Sequence, residues 1–64
     1  MSNEQIRHEY EQTVIYLVKS YLDDTEHQEQ RMLFTEWLEQ AKYINKYKYH
    51  VNLFYYFNEI KEGD

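Results

Sequence analysis

The sequence predicts an all-α protein, a helical hairpin followed by a third helical segment rich in aromatic residues. Three observations lead there. Proline is absent and the single glycine, Gly63, stands one residue from the end, so the body lacks the two residues that most penalise helix interiors. Apolar residues recur at three- and four-residue intervals over residues 6–21 and again over 33–44, the period of one helix face. Finally, seven of the twelve aromatic residues fall in the run 43–57, YINKYKYHVNLFYYF.

The first helix is expected over residues 3–22. Ser2 and Gln5 have capping-box spacing, and Glu4 lies in the first turn, where the helix dipole favours an anion. Ile6, Tyr10, Val14, Leu17, Val18 and Tyr21 form the apolar stripe. The break is placed at Asp23-Asp24-Thr25. Two carboxylates oppose the dipole at a helix end but suit a helix start, and Thr25 with Gln28 repeats the capping-box spacing. A second helix should therefore begin near Glu26 and return antiparallel to about residue 45. Its stripe is Leu33, Trp37, Ala41 and Ile44, widened by Phe34 and Leu38, with Trp37 at the centre of the seam.

After Asn45 two templates fit. Tyr47, Val51, Phe54 and Asn58 continue a helical stripe, whereas Tyr47, Tyr49, Val51, Leu53, Tyr55 and Phe57 alternate as a strand would. A lone strand leaves its backbone groups unpaired, so the helix is preferred. Asn45 marks the bend, as a left-handed terminus or as the N-cap of a third helix. The result is either a small three-helix bundle or a hairpin dimer with a long second arm.

Sixty-four residues make one domain, and a domain this small buries only about 60% of its unfolded surface. Such domains usually need a staple, and without cysteine what remains is oligomerisation or close helix packing. The longest apolar runs, 14–18 and 53–57, fall far short of the roughly 20 residues of a membrane span. With the polar, acidic start MSNEQIRHEYEQ, this suggests a complete, small cytoplasmic protein.

Net charge is −5, unevenly spread. Residues 1–40 carry −6 and residues 59–64 carry −2, around a basic island, 41–58, whose Lys42, Lys46 and Lys48 face no acid. The acidic balance repels phosphate backbones and disfavours a nucleic-acid partner, although lysines interleaved with tyrosines resemble a single-strand stacking platform.

No catalytic, cofactor-binding or metal-ligating set emerges. His8, His27 and His50 are far apart, one terminal glycine cannot form a phosphate loop, and nucleophilic triads lack material. Asp23, Asp24 and His27 have ligand-like spacing, but such a group more often stands in solvent at a helix start.

The aromatic island is the candidate site. Apolar residues at 51, 53, 54, 55, 56 and 57 surround a helix completely, yet a helix turns only about half its circumference inward, so some rings must stay outside. Tyr43, Tyr47, Tyr49, His50, Tyr55 and Tyr56 are the expected protein-binding residues, since tyrosine joins a large ring to a polar tip with few rotamers to freeze. The leading expectation is a small acidic regulator that binds another protein as inhibitor or adaptor, of a kind met in phage and mobile elements. The first alternative is a self-associating structural homodimer whose seam is the aromatic face. The second is a nucleic-acid mimic acting through an acidic face of Glu29, Glu36 and Glu39.

Overall fold

A computed structural model describes residues 3–63, with side chains described from 3 to 60. Three helices follow in order: α1 (Asn3–Asp24), α2 (Phe34–Ala41) and α3 (Asn45–Gly63), and no strand occurs among the described residues. The 46–58 stretch is helix, so the strand template is set aside. The third segment packs back on the first: α1 and α3 run antiparallel and share the most extensive contact, with α2 wedged against both. The serine of the expected N-terminal capping box, Ser2, lies outside the described residues.

α1 is longer than its apolar stripe, and its inner face is set differently. Thr13 and Leu17 are buried, Tyr10 and Tyr21 half-buried, while Val18 is exposed. The inward row is thus Tyr10, Thr13, Leu17, Tyr21, in which a β-branched threonine takes the place expected of an apolar residue.

The expected second helix start is the largest correction. Thr25 closes α1 instead of opening α2. Its N–H donates to the Tyr21 carbonyl at 3.1 Å, its hydroxyl donates to the same oxygen at 2.7 Å, and the hydroxyl accepts from Arg31 Nε at 2.9 Å. Short hydroxyl side chains serve orphan carbonyls as readily as orphan amides, so the same residue type fits either end. Asp24 remains in the last turn of α1 against the dipole, offset by accepting from Trp37 Nε1 at 3.1 Å.

Residues 25–33 form a loop rather than helix. The Tyr21 hydroxyl donates to the Met32 carbonyl, and Met32 N–H donates to Gln28 Oε1 at 3.0 Å, so side chains tie the loop down. α2 then starts after Leu33, which is extended and supplies no side-chain cap. The eight-residue helix buries Trp37, Leu38 and Ala41. Leu33 and Ile44, expected in its stripe, lie outside its ends and are exposed.

The bend also falls earlier than Asn45. Lys42 N–H reaches back to Leu38, Tyr43 to Gln40 and Ile44 to Ala41, and the Ile44 carbonyl accepts from Tyr47 and Lys48 at 3.0 and 2.9 Å. Asn45 is therefore the first residue of α3, neither a left-handed terminus nor the residue whose carbonyl starts the helix. The described backbone has no positive φ, so the corner turns without a left-handed residue. The core is Leu17, Trp37, Leu38, Ala41, Tyr47 and Val51, with Tyr16, Tyr21, Met32, Phe34 and Phe54 packed on it.

Candidate protein-interaction surface

The aromatic run divides by side of the helix. Tyr47 and Phe57 are buried and Phe54 is half-buried, whereas Tyr43, Tyr49, Tyr55 and Tyr56 are 79%, 68%, 41% and 56% exposed. All four exposed rings are tyrosines; every Phe and the Trp are buried or half-buried. Tyr49 and Tyr56 are seven residues apart, two turns along one face. Tyr43 stands at the corner before α3, with Lys42 Nζ 5.5 Å from its ring centroid.

Each exposed ring on α3 is braced by a neighbour. Tyr49 meets His50 edge-on at 5.3 Å, and Tyr55 and Tyr56 meet Phe54 and Phe57 in the same way, both at 5.7 Å. The partners in these pairs sit deeper in the fold. The outer tyrosines are thereby partly oriented before anything binds, which lowers the ordering cost of an interface.

Tyr47 does not belong to this surface. It is only 4% exposed and packs edge-on to Trp37 at 5.2 Å. Burial raises its phenol above the ordinary value, and the nearby Asp24 carboxylate raises it further, against a lowering by Lys46. Lys46 stands 5.2 Å over the ring and is itself raised, first by the charge of ionised Tyr47. The alternation that put Tyr47 and Tyr49 on one face was that of a strand; on a helix they point opposite ways.

His50 is half-buried, stacked on Tyr16 at 4.0 Å, with Nδ1 buried and without a protein partner. With Tyr49 it borders an open groove of ≈ 300 Å³ whose other walls are His8, Glu9, Gln12, Thr13 and Leu53. Periodicity gives no signal for this groove, because it joins α1 to α3 across the fold.

The acidic residues of the alternative site separate. Glu36 and Glu39 line a shallow groove of ≈ 340 Å³ with Gln40 and Tyr43, whereas Glu29 lies in the 25–33 loop and is not among its lining residues. Among the described residues, no group of three or more His, Cys, Asp or Glu is placed to hold a metal ion, and no helix is long and apolar enough to cross a membrane. Neither a family model, nor a curated protein, nor a solved structure matches this chain.

Proposed function

We propose that the chain is a small, non-enzymatic, cytoplasmic regulator that binds another protein through the aromatic surface of its C-terminal third, as an inhibitor or adaptor. The observation that carries this reading is the sorting of the rings. Phenylalanine and tryptophan go inward, and four tyrosines from one short run go outward. Tyrosine at such a surface offers apolar area, a hydrogen-bonding tip and little rotamer entropy to lose, the properties of residues that dominate interface energies. Phage and mobile elements, which encode many small regulators, are the proposed setting.

The test compares immobilised wild type with a Tyr43→Ser, Tyr49→Ser, Tyr56→Ser variant in capture from bacterial extract, with helicity checked by circular dichroism. The reading expects a protein held by the wild type to be lost by the equally helical variant. Equal retention would remove these tyrosines as the site.

A second reading rests on Glu36, Glu39 and Tyr43 sharing one groove. Carboxylates there, with Glu29 nearby in sequence, would imitate phosphates and occupy a nucleic-acid-binding protein. Reversing Glu29, Glu36 and Glu39 to lysine would then abolish binding, and the tyrosine changes would spare it.

A further inference from the structure

α1 is apolar on its outer side as well as its inner one. Ile15, Val18 and Leu22, at intervals of three and four, are 47%, 37% and 43% exposed on the face turned away from the core. A helix that packs only inward does not need them there.

Two rows at four-residue spacing run side by side on this face. One climbs from half-buried Tyr10 and Val14 at the edge of the core to exposed Val18 and Leu22; the other is Arg7, Glu11, Ile15, Lys19, Asp23, all five of them exposed. Tyr10, Glu11, Val14 and Ile15 enclose an open groove of ≈ 330 Å³ between the rows.

The signs along the second row are plus, minus, neutral, plus, minus. Read from the other end, every sign is inverted. A two-fold operation that lays the row antiparallel on itself therefore sets Arg7 against Asp23 of the second copy and Glu11 against its Lys19. The symmetry repeats both contacts, and Ile15 meets Ile15 at the centre. Laid parallel, the row would set like charges together. An isologous interface requires this kind of self-complementarity, because each residue must find its partner on the same surface. Rows at this spacing are inclined to the helix axis, so two helices crossing at about 50° bring them alongside each other. Arg7 of the second copy would also offset Asp23, which stands at the unfavourable end of the α1 dipole.

We propose that this face binds a second copy of the chain, forming an antiparallel homodimer in which the two α1 helices cross at Ile15. The dimer leaves the outer tyrosines of α3 uncovered, so it is compatible with a protein partner there and independent of one.

Sedimentation equilibrium of the full chain tests it, with circular dichroism as the folding control. Wild type should be a reversible dimer. Lys19→Glu brings two carboxylates together at both symmetry-related contacts, and Glu11→Lys brings two ammonium groups together there. Each change alone should therefore weaken the dimer roughly tenfold or more. Mixing the two variants restores opposite-charge pairs at both of the contacts that either variant loses, since one altered chain offers carboxylates at 11 and 19 and the other offers ammonium groups. A heterodimer should then form although neither variant pairs well with itself. Tyr49→Ser with Tyr56→Ser should dimerise as wild type does. A wild type monomeric throughout, single reversals that dimerise undiminished, a mixture that fails to pair, or loss of the dimer in the tyrosine variant would each overturn the proposal.

Discussion

Trp37 Nε1 donates to Asp24 Oδ2 at 3.1 Å, joining the centre of α2 to the last turn of α1. The same carboxylate helps to hold the Tyr47 phenol of α3 in its neutral form, so one side chain bears on all three helices. Asp24→Ala leaves an indole N–H in a core with no acceptor, at a cost of about 1–3 kcal/mol. Asp24→Asn keeps an acceptor and should recover much of that. Trp37→Ala removes the ring at the centre of the core and should cost about 3–5 kcal/mol. Urea titrations followed by circular dichroism should rank the variants wild type, Asp24→Asn, Asp24→Ala, Trp37→Ala.

Thr25 is fully buried, and its hydroxyl bonds the Tyr21 carbonyl and the Arg31 guanidinium. Thr25→Val keeps the shape and loses the hydroxyl. The Tyr21 carbonyl retains the backbone N–H of residue 25, and exposed Arg31 can turn to water, so the loss should be about 1 kcal/mol. Thr25→Ala also removes a buried methyl and should cost about 0.8 kcal/mol more. Equal destabilisation of both variants in urea would show that the hydroxyl alone matters.

The Tyr47 phenol titrates above its ordinary value of 10.0 in the folded protein, because burial and Asp24 favour its neutral form. A raised value means the associated stability is fully present below the unfolded value and is lost as pH rises through the folded one. Stability should therefore fall as pH climbs above about 10. In Tyr47→Phe this part of the decline disappears. Denaturation midpoints at pH 8, 10 and 11, as approximate settings spanning that titration, check this. Equal slopes in both proteins would contradict it.

Helix content, the central place of Trp37 and the presence of outward rings in the 43–57 run were legible in the sequence, because each follows from periodicity or from counting rings around a helix. The 25–33 loop was not. Asp23, Asp24 and Thr25 carry start-of-helix chemistry, and what overrides it is tertiary: Trp37 donates to Asp24, and Arg31 meets Thr25. Nor could the pattern place Tyr47, since the two templates for that stretch assign it opposite faces relative to Tyr49. The outer stripe of α1 was hidden for a related reason. Spacing alone groups Val14 and Val18 with the core, and only the depth of Thr13 and Leu17 shows that α1 has two apolar sides.

The division of the tyrosines predicts two distinct outcomes from one kind of substitution. Tyr49 and Tyr56 point outward from α3, so Tyr49→Ser and Tyr56→Ser remove exposed rings and should change stability by no more than about 0.5 kcal/mol each. Tyr47→Ser empties a site against Trp37 and Tyr16, beneath the Lys46 ammonium group. Loss of a buried aromatic ring costs about 3–5 kcal/mol, a large share of what a small domain has. Thermal melts should show the outer variants near wild type and Tyr47→Ser largely unfolded. Tyr43→Ser, at the exposed corner, should join the outer group. If Tyr49→Ser or Tyr56→Ser melted as low as Tyr47→Ser, those rings would have structural work of their own, and their loss could no longer report on a binding surface.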